Sequence, residues 1–156
     1  MANRSEGIMF YNPKKTAAFQ TMLEQVVGQA LAAAGYVLED QPLQQTRGLI
    51  RYRKALGDDI YAFIEWQLLA FEQSRVAQFQ VNLLRNRGTE ARAQTDAEER
   101  VEHTLPWLIW HVFETRVVPS DSVWWEFRDE IELGQALASA GRLLFGYGVP
   151  WLEKNL

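Results

Sequence analysis

Residues able to do chemistry recur at every second position of three segments. Arg51 and Arg53, then Tyr61, Phe63, Glu65 and Gln67, then Gln78, Gln80 and Asn82 share one face if each segment is extended chain. Glu126 joins that face if Trp125 points the other way. Planar amides, guanidiniums and two carboxylates among aromatic rings can orient a small polar ligand or a peptide. Glu65 and Glu126 could also serve as acid and base beside Arg51 and Arg53, provided the fold sets the carboxyls about 5 to 9 Å apart. Two plainer uses compete. One is a solvated sheet face with cross-strand arginine–aromatic pairs, and the other is ion pairing of the carboxylates with Arg51, Arg53 or Arg128.

Other chemistry finds little material. The chain has 2 histidines and no cysteine, which removes disulfides, thiolate metal sites and thiol nucleophiles. Glu99 and His103 lie four apart, but two ligands do not hold a metal, and none is expected. Gly146-Tyr147-Gly148 follows a helix rather than opening one, so it forms no phosphate loop, and no cofactor is expected. Ser5, Ser74, Ser120, Ser122 and Ser139 lack a nucleophile-elbow context. No catalytic set is read.

Tryptophan is abundant, with 6 in the chain, and five of them (Trp107, Trp110, Trp124, Trp125 and Trp151) fall in the second half. Trp107, Trp110 and Phe113 suit a docking patch for a protein partner or a second copy. They equally suit a small second core under a long loop.

A net charge of -4, with its 16 basic residues scattered, gives no attraction for a phosphate backbone, so nucleic-acid binding is not expected. At 156 residues and 47% apolar composition, one domain covering 1–156 is expected. Residues 1–15 lack an apolar signal core, and the run Leu105 to Phe113 is half a membrane span, interrupted by His111. A cytoplasmic protein without membrane association is expected.

The elements that must position these residues can be read from periodicity. Phe19, Met22, Leu23, Val26, Val27, Ala30, Leu31 and Ala34 form one stripe of a helix from Pro13 to Ala34, with Asn12 as N-cap, Gly35 at its end and residues 1–12 as an arm before it. Leu49–Lys54, Ile60–Ala70 and Val76–Leu84 alternate as strands of a meander. Pairing Phe71 with Val76 sets Trp66 opposite Val81, Leu68 opposite Phe79, Ile64 opposite Leu83 and Glu65 opposite Asn82. A one-residue slip would mix both faces. In the first hairpin a five-residue loop sets Ile50 beside Ile64, Tyr52 beside Ala62, Arg51 beside Phe63 and Arg53 beside Tyr61.

Residues 86–121 read as an irregular insertion with a short helix, capped at Thr95 and running to Thr104, where Pro106 stops it. Trp107–Phe113 has no clean period and is left open, and Pro119–Asp121 is a turn. Val123–Arg128 reads as a further strand. A helix capped by Asp129 with Glu132 follows, carrying Leu133, Leu137, Ala140 and Leu144 and ending at Gly146 and Gly148. Gly134 and Gly141 permit its close approach to the sheet, and Pro150 opens a last turn over Trp151 and Leu152. The result is an α+β fold, an antiparallel meander of about four to five strands with two main helices on one face.

The N-terminal helix ending Ala-Gly-Tyr, the strand Phe79-Gln80-Val81-Asn82-Leu83, Trp124-Trp125-Glu126-Phe127 and Val149-Pro150-Trp151-Leu152-Glu153 together resemble the domain of unknown function 4304 family. The likeness covers most of residues 13–85 and 122–153, and residues 86–121 carry none of its motifs. The resemblance implies an α+β fold and a bacterial source, and it brings no activity or catalytic residue. Function is therefore read as a non-catalytic binding or protein-interaction module, regulatory or toxin-neutralising. The alternatives are an enzyme using Glu65 and Glu126, and a self-associating structural domain.

Overall fold

The computed structural model describes residues 11–88 and 100–154. Helix α1 (Pro13–Leu23) starts where the Asn12 side chain accepts a hydrogen bond from Lys15 N at 3.1 Å and Pro13 takes the first helical position. It runs on through a π-helical segment (Glu24–Gly28) into α2 (Gln29–Ala33), and Gly35, at φ 96°, turns the chain out. Phe19, Leu23, Val27 and Leu31 are all buried. Steps of four drift by about 40° each on a regular helix of 3.6 residues per turn, and the wider π turn takes up that drift.

The remaining elements are β1 (Val37–Leu38), α3 (Pro42–Thr46), β2 (Leu49–Gly57), β3 (Ile60–Leu69), β4 (Ala77–Arg87), β5 (Val101–Thr104), α4 (Leu105–His111), β6 (Trp125–Phe127) and α5 (Glu130–Leu143). Helix α5 continues through a second π segment (Leu144–Gly148) into α6 (Val149–Glu153). The strands form one antiparallel sheet in the order β1-β2-β3-β4-β5, with β6 also paired to β4. Phe19, Trp66, Phe79 and Phe127 meet where α1 crosses the sheet. Leu133, Leu137 and Leu144 from α5, Leu105 and Leu108 from α4, and Leu152 from α6 join the same core, so the helices lie on one face.

The β3–β4 register is the expected one, with Ile64 opposite Leu83, Glu65 opposite Asn82, Trp66 opposite Val81 and Leu68 opposite Phe79. The β2–β3 register is offset by two: Ile50 faces Trp66, Arg51 faces Glu65, Tyr52 faces Ile64 and Arg53 faces Phe63. The turn explains it. Asp58 and Asp59 both take the left-handed conformation, at φ 53° and 62°, and close a two-residue hairpin. An irregularity between Ala55 and Gly57 absorbs the extra residue. A slip of two keeps every side chain on its face but changes each partner.

The second half corrects four expectations. Val101–Thr104 is a strand on the edge of β4, with Thr104 opposite Asn82, rather than the end of a helix; the cap expected at Thr95–Glu98 lies outside the described residues. Thr104 is the N-cap of α4, accepting from Trp107 N at 3.4 Å, and Pro106 sits in the first turn, where its missing N–H costs nothing. Pro106 thus opens the helix that contains most of the segment left open. Gly146 and Gly148 do not end the last helix. A Cβ on Gly148 would stand 2.9 Å from Leu144 Cδ1 and 3.1 Å from Leu83 Cδ1, so this glycine lets the helix lie close on the sheet. Gly134 and Gly141 approach Met22 and Val27 instead, which places them against the N-terminal helix.

Candidate functional site

The offset hairpin brings the charged residues of the outer sheet face into one row. Glu39 extends the β1 ladder, its N–H donating to Arg51 O at 2.9 Å. Arg51 then donates in two directions, from Nη1 to Glu39 Oε1 at 3.1 Å and from Nε to Glu65 Oε2 at 2.8 Å. Asn82 Nδ2 donates to Glu65 Oε1 at 3.0 Å and to Glu102 Oε2 at 2.6 Å, and Glu102 Oε1 accepts from Arg100 Nη2 at 2.8 Å. Arg53 Nη1 adds a looser pair with Glu39 Oε2 at 3.8 Å. The row crosses the sheet from β1 to β5 with charges that largely cancel.

Burial decides what this row can do. Phe63 is 0% exposed, Glu65 3%, Gln80 6% and Arg51 7%. The centre of the face is therefore made of buried side chains. The Arg51 and Arg53 guanidiniums stand 5.9 Å from the Phe63 and Tyr61 ring centroids. Gln80 donates from Nε2 to Val123 O at 2.7 Å and accepts from Val81 N at 3.0 Å, so its amide anchors the chain entering β6. Gln67 donates to Leu68 O at 2.8 Å. These groups are engaged with the protein's own backbone and charges, and Arg53, Tyr61, Gln67 and Asn82 are the half-buried margin of the face.

Trp125 stacks on Phe79 at 5.6 Å on the core side, so Glu126 does lie on the outer face, opposite Gln78. Glu65, by contrast, is opposite Asn82 on the other flank of β4. Four residues along the strand and two strand spacings across it separate their Cα atoms by about 16 Å. The two carboxylates do not form an acid–base pair. Glu126 instead borders an open groove of about 520 Å³ with Val76, Arg128, Glu132 and Gln135. In that groove Arg128 Nη2 donates to Glu132 Oε2 at 3.1 Å. Each holds the other charged: the carboxyl of Glu132 is lowered and the guanidinium of Arg128 raised by this hydrogen bond.

The residues expected to dock a partner take three different partners. The Trp107 ring is stacked on His103 with centroids 3.9 Å apart and lies 4.8 Å from His111. Trp110 Nε1 donates to Val118 O at 3.0 Å, and the Arg116 guanidinium sits 4.0 Å over its ring. Phe113 meets Tyr147 edge-on at 4.9 Å. Trp107 and Trp110 are half-buried, and Trp110 packs on the margin of the main core. Exposed apolar side chains lie next to them: Phe113 is 40% exposed, Val112 43% and Val117 54%. Between these residues Glu114 takes a left-handed φ of 51°, which is uncommon for a residue with a Cβ.

Among the described residues, no group of three or more histidine, aspartate or glutamate side chains is placed to hold a metal ion, and no helix is long and apolar enough to cross a membrane. Sequence reasoning missed Glu39, Arg100 and Glu102 in the charged row, Val112 and Val117 in the apolar turn, and Asp121, whose Oδ2 lies 2.8 Å from His111 Nε2. Compared with known families, curated proteins and solved structures, the chain matches no family model, no curated protein and no solved structure.

Proposed function

We propose that this chain is a non-catalytic protein-interaction module whose partner docks on the turn following α4. The observation that carries the reading is the exposure of Val112, Phe113 and Val117 around the left-handed Glu114. Exposed apolar side chains close together on a loop suit a docking surface, since loops carry many binding residues. Tyr147 backs Phe113, and Trp110 of α4 packs against the core before the turn. Meanwhile Arg51, Glu65 and Glu39 of the sheet's outer face pair with one another. A regulatory role such as neutralising a toxin in the bacterial cytoplasm suits a small acidic chain of net charge -4 without cysteine.

The test places a photo-crosslinking amino acid at position 113 in living cells and, as a control, at Leu43, an apolar residue 81% exposed on α3. A discrete protein adduct from position 113 and none from 43 is expected. No adduct, or the same background from both positions, overturns the reading. An adduct of twice the chain's own mass would identify self-association through the same turn.

A further inference from the structure

Both histidines of the chain lie against one indole. His103 comes from β5 and stacks on Trp107 at 3.9 Å, while His111 ends α4 one turn beyond Trp107, with centroids 4.8 Å apart. His111 Nε2 is also 2.8 Å from Asp121 Oδ2, and Asp121 sits on the far limb of the turn that carries Val112, Phe113 and Val117. The turn therefore starts at a histidine and returns to that histidine's ring.

We propose that His111 and Asp121 form a proton-operated clasp, closing the far limb of the turn 112–121 onto α4 when His111 is charged. Histidine is the side chain whose charge changes between pH 5 and 8. An imidazolium at the last residue of a helix also faces the unpaired carbonyls there. With His111 neutral, the pair loses its ionic component, and the turn is held by Trp110 Nε1 on Val118 O, by Arg116 on Trp110 and by Thr115 N on Ile109 O.

The charged neighbours leave this role to Asp121. On the turn itself, Arg116 is directed at Trp110, and Glu114 is an exposed residue. From β5, Glu102 is engaged by Arg100 and Asn82, and His103 stands across the Trp107 ring. From α6, Trp151 packs on His103, while Glu153 binds Tyr36 and Lys54. Helix α4 carries no other ionisable side chain. Burial lowers the pKa of His103, so acidification charges it reluctantly.

This inference rests on the docking reading only for its consequence, which is that the presentation of the apolar turn varies with pH. The test is amide hydrogen exchange of residues 112–123 in the free protein, expressed as protection at pH 5.5 and 8.0 after correction for intrinsic rates. Protection about two- to fivefold greater at pH 5.5 is expected, the range of an exposed charge pair. His111→Gln and Asp121→Asn should each abolish the difference, and His103→Asn should keep it. Equal protection at both pH values, or the same difference in Asp121→Asn, overturns the clasp. Loss of the position-113 adduct with the exchange difference intact would sink the docking reading and leave the clasp standing.

Discussion

Arg51 Nε and Glu65 Oε2 face each other across adjacent strands at 2.8 Å, and both side chains are buried. The pair exists because the tight Asp58–Asp59 turn slides β2 by two residues relative to β3. Withdrawing two charges from water is costly, and here the cost is offset by further partners: Glu39 on one side and Asn82 on the other. Removing one member strands the other in a dry site. Arg51→Met or Glu65→Gln should each destabilise the fold by about 3 kcal/mol or more. The double variant Arg51→Met/Glu65→Gln should cost clearly less than the sum. Urea denaturation of the four proteins checks this, and additivity would show that the pair is not coupled.

The glycines of the second π segment make a contrasting pair. Gly148 is wedged against Leu144, Leu83 and Leu105, whereas nothing lies within 4 Å of a Cβ built on Gly146. Gly148→Ala should destabilise by about 1–3 kcal/mol through overpacking. Gly146→Ala should be neutral or stabilise by up to about 1 kcal/mol through reduced backbone freedom in the unfolded chain. Thermal unfolding of the two variants separates these effects, and a similar loss in both would mean that the π turn itself, not the packing, requires glycine.

The charged row shows where sequence legibility stops. Its middle, Glu65 opposite Asn82, was readable because β3 and β4 alternate for ten residues or more and a one-residue slip would expose Trp66 and Phe79. Arg51 was placed on the right face with the wrong partner, since a slip of two leaves alternation unchanged. The remaining members were invisible for a different reason. Glu39 follows a strand of 2 residues and Glu102 lies in one of 4, both too short for periodicity to register. The turn after α4 was half-legible. Its aromatic residues stood out, but which of them reached solvent depended on Tyr147 and Val118 folding back onto α4.

His103 gives the fold a defined response to acid. Burial between Trp107 and Trp151 lowers its pKa below the usual histidine value, because the charged form is poorly solvated there. The unfolded chain therefore binds the proton first as pH falls. Stability contributed by neutral His103 is present above about pH 6.5 and is lost as pH drops through the folded value. In a His111→Gln background, which removes the opposing response of the clasp, the melting temperature should fall between pH 7 and 5. His103→Asn added to that background should flatten the slope. A slope unchanged by His103→Asn would assign the acid response elsewhere.

Tyr36 gives the opposite limb of the profile. Its ring is buried between the end of α2 and β1, and its Oη donates to Glu153 Oε2 at 2.9 Å. Burial first, then the hydrogen bond and the nearby negative charge, raise the phenol well above its ordinary value. Tyr52 shares the trend, pushed up to about 12 by burial and by Glu24. For an acid whose folded pKa is raised, the unfolded chain loses its proton first. The stabilisation is complete below about pH 10 and disappears as pH climbs through the folded values. Tyr36→Phe should thus cost about 1.5–3 kcal/mol at pH 8, the worth of a hydrogen bond to a charged group. It should lose less further stability than the parent between pH 8 and 10.5, because one of the two raised phenols is gone. Denaturant unfolding at both pH values checks the sign, and an equal alkaline loss in the two proteins would remove Tyr36 from the account.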